Sequence, residues 1–146
     1  MEVSLRNVLD DELDWLYQLN KASYHDVVVR QFGEWDEGFQ CQMFRRKWQQ
    51  PRAAMVVMLG PARIGLVVLE RKDEDDWLQE IQIELEYQGR GLGTQLIQQF
   101  IEDARSRKRG LRLQVLKLNH RAKSLYERLG FQEIKVLENH YRMAID

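Results

Sequence analysis

The chain has 146 residues, of which 44% are hydrophobic and 10% aromatic, with 22 basic and 23 acidic side chains. This is enough for one domain with a real core, too apolar for a disordered segment, and too evenly charged to be drawn to nucleic acid or a membrane surface. The start Met1–Asn7 has no apolar leader core, no apolar run reaches spanning length, and Cys41 with the scattered His25, His120 and His140 offers neither a disulfide framework nor a zinc spacing, so a cytosolic protein without a structural metal is expected.

The sequence shows no internal repeat, low-complexity tract or linker, which predicts one domain over residues 1–146. Val3 to Leu5 fits a short first strand. Asp10 and Asp11 are N-cap candidates for a helix carrying Leu13, Leu16, Tyr17 and Leu19. Val27, Val28 and Val29 interrupt helical patterning, and Gly33 marks a break. A second helix is predicted from Trp35 to Trp48, with Trp35, Phe39, Met43, Phe44 and Trp48 as its apolar stripe and Pro51 as its stop. Ala53 to Leu59 and Ile64 to Leu69 read as a hairpin around Gly60-Pro61. The acidic run Asp73 to Asp76 reads as a solvated loop before an alternating strand, Trp77 to Leu85.

That strand runs into Gln88-Gly89-Arg90-Gly91-Leu92-Gly93-Thr94, and a periodic helix of about Gly91 to Arg105 runs out of it. Glycines admit positive φ and close approach to a ligand, and a helix start offers unpaired N–H groups with a positive partial charge. Together they suit a phosphate or pyrophosphate. The dinucleotide fingerprint fails because its third glycine position is Thr94, and a Walker loop fails for lack of Gly-Lys-Ser/Thr. The helix carries Leu92, Leu96, Ile97, Phe100, Ile101 and Ala104 on one face, and its basic end, Arg105 to Arg109, is followed by Gly110. Downstream lie an alternating strand, Leu111 to Val115, then Asn119, a helix containing Ala122, Leu125 and Tyr126, and Gly130-Phe131 opening a final pair of strands at Phe131–Val136 and Tyr141–Ile145.

The pattern Gln-x-x-Gly-x-Gly between strand and helix resembles the coenzyme A loop of the GNAT superfamily of N-acyltransferases. The strand, Asn119, Ala-x-x-Leu-Tyr helix and Gly130-Phe131 resemble that family's second signature, in the same order and separation. The two cover roughly residues 77 to 131. The resemblance implies an α+β fold with a mixed, mostly antiparallel central sheet flanked by helices, in the order β-α-α-β-β-β-α-β-α-β-β. It also implies an acetyl-CoA cosubstrate, no metal and an amine acceptor. The pyrophosphate would meet Gln88, Gly89, Arg90, Gly91, Leu92, Gly93 and Thr94. The pantetheine arm would pair with the strand edge at Ile83, Glu84 and Leu85, and a backbone N–H there would stabilise the oxyanion.

The resemblance further gives Tyr126 the role of acid at the departing thiolate and Asn119 that of orienting the coenzyme arm. Glu80 is the candidate base, since Glu80, Gln82 and Glu84 alternate with Ile81, Ile83 and Leu85 and a carboxylate on this strand is common in the family. His25, Glu34 and Asp36 are rivals. Tyr126 also fits a core stripe with Ala122, Leu125 and Leu129, Asn119 fits a helix N-cap, and the Glu80 face fits a solvated one. The segment Tyr24 to Asp36 is rich in aromatics and acids and would suit a cationic or aliphatic primary amine. Cys41 lies outside both signatures, which argues for direct transfer in a ternary complex. A non-catalytic acyl-CoA binding or sensing module is the competing reading. Dimers are frequent in the family, so a homodimer through the last strands is a further expectation.

Overall fold

The computed structural model describes residues 2–50 and 52–146. The alternating segments form seven strands of one sheet: β1 (Val3–Asn7), β2 (Ala54–Leu59), β3 (Ala62–Lys72), β4 (Asp75–Ile83), β5 (Gly110–Leu116), β6 (Gln132–Val136) and β7 (His140–Ile145). Their spatial order is β1-β2-β3-β4-β5-β7-β6. Among the described residues only the central β4–β5 pair is parallel; the other neighbours are antiparallel. The helices are α1 (Leu13–Phe32), α2 (Glu37–Gln49), α3 (Leu92–Ser106) and α4 (His120–Arg128), with single 3-10 turns at Asp10–Glu12 and Leu85–Tyr87. The expected order of strands and helices is therefore observed.

The core has two parts because alternate residues of a strand point to opposite faces. Val67 joins a large cluster with Leu96, Ile97, Phe100 and Ala104 of α3 and Leu111, Leu113 and Met143 of the sheet. Its neighbours Leu66 and Val68 pack instead with Leu16 and Leu19 of α1 and with Phe44 and Trp48 of α2. Thus α3 covers one face and α1 with α2 the other. The predicted stripe of α3 is buried throughout.

Several sequence expectations need correction. Val27, Val28 and Val29 do not interrupt the helix: α1 runs through them to Phe32, and burial of Val27 outweighs the modest helix cost of a β-branched side chain. Gly33 does end it, with φ of 95° and its N–H bonded to Val29 O at 2.8 Å. Asp10 and Asp11 do not cap α1; they lie in the preceding turn, which is fixed by buried Glu12. Glu12 accepts from Leu9 N at 2.9 Å and from Arg6 by two bonds of 2.8 Å, and it pairs with Arg63 at 3.1 Å.

In the run Asp73 to Asp76 only Asp73 and Glu74 form an exposed turn, because β4 begins at Asp75 and Asp76 is buried between Arg107 and Arg109. The same contacts occupy two of the arginines that the sequence assigned to the α3 dipole, and Gly110 opens β5 rather than ending the helix. On α2, Asp36 caps the helix by accepting from Phe39 N at 3.0 Å, so Trp35 precedes it. Its stripe is divided: Phe44 and Trp48 pack on the core, whereas Phe39 is 54% exposed. The stop assigned to Pro51 lies outside the described residues, as does Met1.

Candidate active site

The local irregularity that creates the site is a bulge in β4. Pairing with β3 steps from Val68–Glu80 to Leu69–Leu78, leaving Gln79 as an extra residue. A bulge bends its strand and disrupts the ladder. The parallel pairing of β4 with β5 covers Asp75–Leu78 opposite Gly110–Leu113 and stops at that residue. From Gln79 to Ile83 the β5-facing edge of β4 therefore has no strand partner among the described residues, while the other edge stays paired through Gly65–Ile83. Of the three residues expected at the open edge, Ile83 is in the strand. Glu84 donates its N–H to Ile64 O at 2.7 Å, and Leu85 lies in the following turn, 78% exposed.

The chain then enters the glycine loop. Gln88 Nε2 donates to Ile83 O at 2.9 Å, and Arg90 donates to Glu86 O at 3.2 Å while lying over the Tyr87 ring. Gly89 and Gly91 both have φ of 76°, the left-handed region that glycine enters without strain. Gly91 is the N-cap of α3 and supplies no side chain; the first helical bond runs from Gln95 N to Gly91 O. The N–H groups of Leu92, Gly93 and Thr94 consequently have no helical acceptor. A Cβ placed on Gly91 or Gly93 would meet nothing within 4 Å, so both glycines border open space. The arrangement is a backbone cradle for an anion.

Beside the open edge lies a cavity of about 1140 Å³ lined from the end of β3, from β4, β5 and β7, and from α1, α2 and α4. Glu80, Asn119, Tyr126, Glu34 and Asp36 all line it; His25 and the glycine loop do not. Asn119 caps α4 by accepting from Ala122 N at 3.3 Å, which holds the helix that presents Tyr126. The Tyr126 ring packs edge-on to Phe131 at 5.8 Å, and burial pushes its hydroxyl up to about 12. Tyr126 is thus half-buried against the core while lining the cavity, and its hydroxyl stays protonated at neutral pH.

The polar face of β4 is covered by α1 and α2 rather than solvated. Glu84 accepts from Trp15 Nε1 at 2.7 Å, Gln82 donates to Asn20 Oδ1 at 3.2 Å, and Glu80 pairs with Arg52 at 2.9 Å and with Lys47 at 3.7 Å. Tyr24 joins this group, its hydroxyl raised well above the ordinary value by burial first, then by Glu80 and Tyr126. His25 points elsewhere, bonded to Asp26 at 3.0 Å and packed near Trp35 at 5.6 Å.

Sequence reasoning took Tyr24 and Gln31 only as members of the acceptor segment and missed His140. Tyr24 and His140 line the cavity; burial, then Lys47, lowers the His140 pKa below 6.5, leaving a neutral imidazole at pH 7. Gln31 ties the cavity rim together: its Nε2 donates to Asn139 O at 2.8 Å and its Oε1 accepts from Leu118 N at 3.1 Å. The i, i+4 spacing of Asn20, Tyr24 and Val28 was a local signal that these residues share a helix face. For Gln31 and His140 the partners are too distant in sequence to give one.

Known proteins share this fold. An N-acetyltransferase of Methanocaldococcus jannaschii, itself uncharacterized, is 29% identical over 97% of this chain, which spans 66% of that relative's length. The PaiA N-acetyltransferase of Thermoplasma acidophilum, solved with coenzyme A, superposes with a TM-score of 0.77 at 16% identity, covering 99% of this chain and 98% of the other. An acetyltransferase of Thermus thermophilus gives 0.75 at 20% identity, covering 99% and 97%. The sequence profile of the acetyltransferase (GNAT) domain matches residues 51–133, more than half of the chain. The chain therefore belongs to the GNAT acetyltransferase family.

Proposed function

We propose that the protein transfers an acetyl group from acetyl-CoA to a primary amine by direct attack in a ternary complex. The observation that carries this reading is the opening of β4 from β5 at Gln79, between an uncapped α3 N-terminus and a cavity holding Tyr126 and Glu80. The N–H groups of Leu92, Gly93 and Thr94 would hold the pyrophosphate, with Gln88 bracing the loop through Ile83 O and Arg90 at its rim. The open edge at Gln79–Ile83 would take the pantetheine arm as an added strand and supply an N–H to the thioester oxygen.

An amine with a pKa of about 10.4 is protonated in all but about one molecule in a few thousand at pH 7. Its first proton must leave before attack. Both oxygens of Glu80 are engaged by Arg52 and Lys47, so Glu80 acts through a water, with neutral His140, also in the cavity lining, as a second acceptor. The nitrogen lone pair then bonds to the carbonyl carbon. As the C–S bond breaks, its electron pair leaves with sulfur, and the nitrogen's second proton ends on that sulfur. The Tyr126 hydroxyl, at about 12, lies above a thiol of about 8.5, so full transfer from the phenol is uphill. Tyr126 therefore works by donating a hydrogen bond to the developing thiolate while the proton is relayed. For the proposed homodimer, β6 is an edge strand with all five residues exposed, Ile134 and Val136 among them.

Calorimetric titration with acetyl-CoA, followed by thiol release in the presence of an amine panel, tests the proposal. Micromolar binding with amine-dependent thiol release is expected. Binding without release from any amine would favour the sensing module, and absence of binding would overturn the coenzyme reading itself.

A further inference from the structure

The cavity carries two features that the transfer chemistry does not require. The first is apolar. Phe32 at the end of α1 and Phe39 and Met43 on α2 all line the cavity, with exposures of 51%, 54% and 36%. Large apolar side chains left this open around one concave site mark a surface that binds apolar matter. Phe39 and Met43 sit at i and i+4 on α2, so they form a continuous wall rather than scattered contacts.

The second feature is charge. The acidic residues at the cavity are Glu34, Asp36, Asp73 and Glu80, and the basic ones are Lys47, Lys72 and Arg142. Glu80 is already neutralised by Arg52 and Lys47, and Asp36 is committed to the α2 cap. Arg142 makes no salt bridge among the described residues; it lies over the Trp77 ring at 5.2 Å, and its buried Nε has no hydrogen-bond partner. A polycation needs an excess of free carboxylates, which this cavity lacks, and it would also meet Arg142 uncompensated. A single ammonium has Glu34 and Asp73 to steer it.

Resting on the acetyltransferase reading, we propose that the acceptor is a singly charged primary amine with an apolar or aromatic body, and that the cavity discriminates against polyamines. Phe32, Phe39 and Met43 seat the body, and Arg142 repels a second positive charge. The chemistry is shared by small arylalkylamines and by peptide amino termini that begin with a large apolar residue.

The test measures kcat/KM by thiol release for phenethylamine, a pentapeptide beginning Met-Phe, putrescine and spermidine, with acetyl-CoA titrated separately by calorimetry. Wild-type protein is expected to prefer phenethylamine or the peptide over both polyamines by at least about tenfold, the better of the two naming the source. Phe39→Ser is expected to lower kcat/KM for the apolar amines by roughly tenfold to a hundredfold through KM, with acetyl-CoA affinity unchanged. Arg142→Gln is expected to narrow the gap by raising turnover of spermidine. Preference for spermidine, no effect of Phe39→Ser, or acetyl-CoA binding with no apolar amine accepted would each overturn the proposal. Loss of acetyl-CoA binding by the wild-type protein would instead overturn the reading beneath it.

Discussion

Gly93 separates what the fold needs from what the coenzyme needs. It lies in the first turn of α3, outside the positive-φ glycines, and a Cβ built on it meets nothing within 4 Å. Replacing it by alanine removes the backbone entropy cost of glycine in a helix, a gain of about 0.5–1 kcal/mol. For a chain of this size that corresponds to a rise in Tm of roughly 1–5 °C. Gly91, with φ of 76°, contrasts: its alanine variant adopts a left-handed conformation at a cost of about 1–2 kcal/mol. Gly93→Trp should fold as well as the wild type, yet its indole would fill the space beside the free N–H groups. Losing two charge-assisted hydrogen bonds of about 1.5–3 kcal/mol each weakens acetyl-CoA by roughly a hundredfold to ten-thousandfold. Thermal melts and calorimetric titration of the three variants provide the assay. A Gly93→Ala variant less stable than wild type, or a Gly93→Trp variant that binds acetyl-CoA normally, would refute the reasoning.

Three other outcomes follow from particular contacts. The hydrogen bonds from Arg6, outweighing burial, lower the Glu12 carboxyl to about 2 from its ordinary 4.5. The pair therefore stabilises the fold fully above pH 4.5 and loses that contribution as pH falls toward 2. Across this window it amounts to about 3 kcal/mol, and Glu12→Gln should lower the denaturant midpoint at pH 7 while flattening the acid limb of the stability profile. Gln31→Ala leaves Leu118 N without its acceptor and should cost about 1–3 kcal/mol, read as faster hydrogen exchange at Leu118 and Asn119 and as reduced turnover with acetyl-CoA affinity retained. Cys41, a free thiol that does not line the cavity, should be replaceable by alanine without loss of turnover; abolished activity would revive a covalent acyl-cysteine route.

The parts legible in the sequence were those whose physics is local. The stripe of α3 repeats at helical spacing and is buried as expected, and Gln88 to Thr94 announces its turn because two of its glycines need positive φ. Asn119 is recognisable as a cap for the same reason. The misread segments depend on partners far along the chain. Asp76 is buried only because Arg107 and Arg109 reach it from beyond α3, and Val27 stays helical because tertiary burial outweighs its propensity. Glu80 lines the cavity, but its engagement by Lys47 and Arg52 is invisible without the fold. The bulge at Gln79, which opens the sheet, has no residue signature of its own.

The central claim rests on Tyr126 facing the reacting sulfur, and Tyr126→Phe tests it most directly. Thiol release with an accepted amine should fall by roughly a hundredfold to a thousandfold in kcat, the cost of one hydrogen-bond donor to a developing charge, while calorimetry shows acetyl-CoA affinity unchanged. Undiminished turnover in this variant would contradict the account.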